Sequence, residues 1–337
     1  MKQESMKTFI HSLPKAELHV HIEGTLEPEL MFALAQKNRI TLPYETVEDV
    51  QKAYHFSSLQ SFLDIYYAST AVLIDESDFF DLTWAYLLKC KEENIVHTEI
   101  FFDPQTHTKR GIAFQTVLNG ITRALDKARK ELGISSSLIM CFLRHLSQED
   151  AFATLEESLP FKEFILGVGL DSSELGHPPC KFKDVFQKAV EQGYKVVAHA
   201  GEEGDSTYIW DAIECLKIKR IDHGIRCEED EKLVEFLIQK RLPLTICPLS
   251  NTKLKVIKTM SEHNILRLLH QGILATVNSD DPAYFGGYLN ANYEALVGHL
   301  NATTEDIKAL VRNSFKASFL DEKAKQTYLR LINQALF

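Results

Sequence analysis

Eight short runs rich in β-branched and other apolar residues punctuate the chain, at 16–21, 95–102, 137–143, 164–170, 195–200, 219–224, 242–248 and 274–281. The stretches between them, such as 116–132, 183–193 and 229–241, repeat apolar positions with the period of a helix. Strand-like runs that alternate with amphipathic helices predict parallel strands joined by right-handed crossovers. Eight such units in 337 residues predict an α/β fold of the (β/α)8 TIM type, one barrel domain over 1–337. The interval 43–92 is too long for one crossover. Its segments 46–54, 58–73 and 77–92 read as helices of a cap inserted between the first two strands, near the site.

In such barrels the chemistry gathers at the C-terminal ends of the strands. The unusual polar residues fall there: His19 and His21 close the first run, His199 the fifth, His223 the sixth, and Asp280 with Asp281 the eighth. The first run lies within PKAELHVHIEGTLEP (14–28), where a side-chain period of two turns His19 and His21 to the same side. Each piece alone has a plainer reading. A HxH pair is commonly packed or solvated, Asp-Asp-Pro is commonly a capped turn, and the acids of HAGEEG (199–204) suit a helix start. Their coincidence at the ends of runs chosen on apolar pattern alone favours a metal site, and imidazoles converging with a carboxylate suit zinc above all. Glu202 adds a further acid three residues past His199, whereas His11, His55 and His270 have no such setting and read as surface residues.

Composition narrows the partners. The 37 Lys and Arg against 47 Asp and Glu give a formal charge of −10, which repels phosphate backbones and anionic lipid. Neither nucleic acid nor membrane is therefore an expected partner. No segment approaches the roughly 20 apolar residues of a membrane span, and MKQESMKTFIHSLPK at the N-terminus lacks a secretory apolar core. The six scattered cysteines form no CxxC pair and fit reduced thiols better than a disulfide frame. A soluble cytoplasmic protein is expected, with its oligomeric state not legible.

Taken in order, LPKAELHVHIEGTLEPEL, HAGEEG, RIDHGIR, CPLSN and NSDDPAYFGGY resemble the adenosine deaminase family of metal-dependent amidohydrolase barrels over nearly the whole chain. HIEGTLEPEL, FFDPQTHTKRG, GLDSSELGHPP and DDPAYFGGY are similar to its microbial adenine deaminase branch. The resemblance implies that His19, His21, His199 and Asp280 hold one zinc, or Fe2+ in its place, that Glu202 is the proton donor, and that His223 and Asp281 complete the site.

The implied chemistry is hydrolytic loss of an amino group from a purine base, a step of purine salvage. Zinc lowers the pKa of its water, His223 would accept that water's proton, Glu202 would protonate ring N1, and Asp281 would hold the N7 side. GVGLDSSELG has no lysine to bridge a second metal, so one metal is expected. The PCxxC signature of nucleic-acid deaminases is absent, since Pro179-Cys180 leads into Lys181, Phe182 and Lys183. Glu23 stands where adenosine-specific relatives carry an aspartate that serves the ribose, and its longer side chain would fill sugar volume. Ser172, Ser173 and Glu174 would bond N3 and the N9–H of a free base. The alternatives are the same chemistry on adenosine or an N6-substituted adenine, and a purine-binding barrel without turnover.

Overall fold

The computed structural model describes residues 2–335. Eight strands follow one another as β1 (Lys15–His21), β2 (Ile95–Phe102), β3 (Ser135–Leu143), β4 (Ile165–Asp171), β5 (Lys195–Ala200), β6 (Arg220–His223), β7 (Leu244–Ile246) and β8 (Ala275–Val277). They pair in parallel in that order. The ring closes through a bridge between Val20 and Asp280, where the His21 amide donates to the Asp280 carbonyl and the Asp280 amide to that of His19, each at 3.0 Å. The expected (β/α)8 barrel is thus present, and its seam runs through three of the expected metal ligands.

Period-two alternation sorts β1 into two faces. Val20 joins the large apolar core under the helices while His19 and His21 turn to the other face; a register shift separates them from Glu17, which lies beside Thr98 and meets Tyr86. Inside the barrel Phe101, Ile139, Cys141 and Val197 form a separate apolar layer. Beneath it the Arg220 guanidinium donates to Glu99 and, at 3.0 Å, to the Leu18 carbonyl.

Of the three helices expected in the cap, Leu59–Ser69 covers the mouth, its N-terminus fixed by a capping box between Ser58 and Ser61. The Glu76–Glu92 helix instead lies on the flank of the barrel. Its Tyr86 hydroxyl donates to Glu17 at 2.7 Å, and its Glu76 accepts from Asn119 and Arg123 of the Phe114–Glu131 helix. It is the first crossover helix, since Phe79, Leu82 and Tyr86 supply the buried stripe that a crossover needs.

The cysteines depart from expectation. Cys180 and Cys215 are disulfide-bonded, while Cys90, Cys141, Cys227 and Cys247 are free and buried. A separation of 35 residues gave no hint of the pairing, because the segments that follow β4 and β5 bring the two sulfurs together. Among the described residues no helix is long and apolar enough to cross a membrane.

Candidate active site

His19, His21, His199 and Asp280 each bring one donor atom into a buried group in which these atoms lie within 4.8 Å of one another. His21 Nε2 stands 3.2 Å from His199 Nε2, and Asp280 Oδ1 lies 3.1 Å from His19 Nε2. Each imidazole turns its other nitrogen to an oxygen. His19 Nδ1 bonds Thr245 Oγ1 at 3.0 Å, His21 Nδ1 faces Asp171 at 3.5 Å, and His199 Nδ1 faces Asp222 at 3.8 Å. Such partners fix the rings so that the Nε2 lone pairs converge. Burial lowers His21 to about 3 and His199 well below its ordinary value, so both are neutral donors. Burial would raise Asp280, but the imidazoles of His19, His223 and His21 hold it well below the usual carboxylate range. Three imidazole nitrogens and one anionic oxygen fit zinc.

Backbone strain sets the remaining directions. Asp280 and His223 have φ of 65° and 64°, left-handed values that cost a non-glycine residue about 1–3 kcal/mol each. The twist at Asp280 lets its successor Asp281 line the same cavity, although strict alternation would turn it away. Gly24 makes room for it, since a Cβ there would lie 2.0 Å from Asp281 Oδ1. Burial, then the charge of Asp280, raises Asp281 well above its ordinary value.

His223 Nε2 lies 3.6 Å from Glu202 and 3.7 Å from Asp280. Its Nδ1 is 3.3 Å from the Asn251 amide nitrogen, which can only donate. The ring is neutral, burial having lowered it to about 3. Glu202 is raised well above the carboxylate range by burial, then by Asp280, Glu174 and Glu203, and its Oε1 has no partner.

The cavity roof is apolar, with Leu59, Phe62, Leu63 and Phe285. Its far end is acidic, in a way the sequence reading missed. Asp103 follows β2, Asp171 ends β4, both line the cavity, and the Oδ1 of each has no partner. Burial, then Glu23, raises Asp103 to about 8. A visible signal was that FFD and GLD end their runs as NSDD does.

The residues expected at N3 and N9 separate. Ser172 lines the cavity, though its hydroxyl is engaged with Tyr67 and His145, each at 2.8 Å. Glu23, Ser173 and Glu174 are not among the lining residues. The short helical turn Glu23–Thr25 carries Glu23 behind the wall, where His107 Nε2 at 2.9 Å and the Asp103 amide at 3.2 Å hold it. Ser173 donates to Gln60 at 3.2 Å on the cap helix. Glu174 is buried under the 201–204 loop and accepts from its backbone amides.

Comparison with known proteins points to one family. An adenine deaminase of Wolinella succinogenes is 70% identical over 328 residues, covering 97% of this chain and 99% of that protein. An adenine deaminase of Acinetobacter baylyi is 62% identical over 325 residues, with 96% and 98% covered. The crystal structure of an adenine deaminase from Arthrobacter aurescens superposes with a TM-score of 0.95 at 46% identity, covering 96% of this chain and 99% of that one. The adenosine deaminase family profile matches residues 14–335, and the chain belongs to that family.

Proposed function

We propose that the protein is a zinc-dependent adenine deaminase that converts adenine and water to hypoxanthine and ammonia. The observation that carries the reading is the convergence of three imidazoles and Asp280 beside a carboxyl group, Glu202, that burial keeps protonated. The names of relatives up to 70% identical support the same substrate. His19, His21, His199 and Asp280 would hold the metal, and Fe2+ suits the same donors. When bound, zinc supplies an activated water and stabilises negative charge on oxygen.

The chain's own groups do the rest. Glu202 delivers its proton to N1, which makes C6 electrophilic; of the attacking water's two protons one restores Glu202 and the other goes to the departing amino group, so the oxygen ends as the C6 carbonyl and ammonia leaves. His223 Nε2–H donates to the oxygen on which negative charge develops. Protonated Asp281 donates to N7, an acceptor. Asp103 and Asp171, which both line the cavity and are both raised, offer an O–H for N3 and an acceptor for N9–H. The N3 and N9 contacts expected of Ser172, Ser173 and Glu174 thus pass to this acid pair, and Glu23 accepts from the Asp103 amide behind it.

A nucleoside lacks the N9–H and places a sugar against the acids. A site built to bond an N–H rejects analogues that lack it by ~10⁴ or more. The test is ammonia release by purified protein from adenine, adenosine and N6-alkyladenines under identical conditions. Adenine should lead in kcat/KM by that order. Comparable values for adenosine would move the assignment to the nucleoside, and no ammonia from any of them would leave a purine-binding barrel.

A further inference from the structure

Glu174 stands out among the groups that this chemistry does not use. Its carboxylate is buried and accepts four successive backbone N–H groups: Gly201 on Oε1 at 2.7 Å, and Glu202, Glu203 and Gly204 on Oε2 at 3.1, 2.7 and 2.7 Å. Successive amides turned one way form an anion-binding nest, and here the anion is the protein's own side chain. A carboxylate offers about four lone-pair sites, so this loop takes up most of its accepting capacity.

The contact is built tightly. A Cβ at Gly204 would lie 2.6 Å from the Tyr208 ring and 2.9 Å from Glu174 Oε1, so only glycine lets the loop close on the carboxylate. The Tyr208 hydroxyl accepts from the Gly176 amide at 3.0 Å, which ties the segment carrying Glu174 to the one carrying Glu202 a second time. On its other side the loop meets the cap, where Glu203 Oε1 accepts from the Leu59 amide at 3.4 Å at the start of the Leu59–Ser69 helix.

We propose that Glu174 is a positioning residue: by gathering the amides of 201–204 it fixes the loop that aims Glu202 at the reacting ring and anchors the cap helix. The proposal rests on the deaminase reading of the site. Glu174 is not among the residues that line the cavity, so its removal acts on Glu202, by placement and by loss of a charge that raises its carboxyl, and spares the surfaces that bind the purine. A misplacement on the order of 1 Å costs a catalytic group about 10²-fold in rate.

The test compares Glu174→Gln and Glu174→Asp with the parent holoenzyme. Gln keeps the length but turns an NH2 against an amide N–H. Asp keeps the charge but is one methylene too short to reach all four. Both should lose about 10²-fold in kcat with adenine, with KM changed less than about threefold and metal content unchanged. Unchanged kcat in Glu174→Gln overturns the proposal, as does a rise in KM alone, which would return Glu174 to the substrate. Full activity in Glu174→Asp would leave its charge as the only requirement and overturns it too. Hydrogen exchange on the parent protein needs no variant and no substrate. The amides of 201–204, though in a loop, should be strongly protected, and free exchange would refute the clamp even if adenine proved to be the wrong substrate.

Discussion

Below the mouth of the barrel, the buried charges of Arg220 and Glu99 match each other, although burial raises nearby Glu17 to about 7. Glu99 accepts from Arg220 and from the Phe319 amide, and Glu17 accepts from Tyr86 and from the Ser279 amide and hydroxyl. Although burial alone would raise it, Arg220 and His97 hold Glu99 down at about 2. At the mouth the pattern reverses. Asp103 Oδ1, Asp171 Oδ1, Glu202 Oε1, Asp281 Oδ1 and Glu23 Oε2 all end without a partner, and their carboxyls are all raised. Unpaired buried polar groups are expensive, so a site that keeps several is arranged for something that arrives from outside. The lower network stabilises the barrel, and the upper one gives up stability for binding and proton transfer.

Glu202→Gln sharpens the comparison most. Glutamine keeps the shape but carries no transferable proton, so turnover should fall by 10² or more while the fold and metal content persist. Rates near those of the parent would place the acid elsewhere. Because activity needs the protonated form, the rate should hold on the acid side of Glu202's raised pKa and fall as pH rises through it.

Arg220→Met should instead act on stability. It leaves Glu99 buried without its cation, a loss of about 3–5 kcal/mol in denaturant unfolding. A loss below ~1 kcal/mol would mean that the lower network does not stabilise the barrel as described.

Asp103→Asn reads the mouth by pH. Asp103 keeps its proton up to about 8 in the fold, whereas an unfolded aspartate ionises near 4. Between those values the folded state binds more protons, so parent stability should decline as pH rises. The Asn variant should flatten that decline, and an unchanged slope would exclude Asp103 as its source. Glu203→Gln should have the smallest effect, within a few-fold in kcat, because the amide oxygen can still accept from Leu59. Damage equal to that of Glu202→Gln would mean the two acids had been exchanged.

The legible part of the molecule is that which period and strand-end position report. β1 was readable because KAELHVH is buried at every position, and the metal ligands because His19, His21, His199 and Asp280 end runs defined by their apolar neighbours. The Glu76–Glu92 helix was misplaced into the cap because an amphipathic stripe does not say which surface it covers. Glu174 looked like a substrate group because a carboxylate beside a strand end carries no mark of four amides 27 to 30 residues later. In each case long-range partners, absent from any local pattern, decided the role.

Turnover should depend on one metal ion held by His19, His21, His199 and Asp280. Metal-free protein prepared by exhaustive chelation should be inactive with adenine. On titration with Zn2+, the ammonia-release rate should rise linearly and level off at one equivalent per chain. Full activity after metal removal, or a plateau only at two equivalents, would contradict the account.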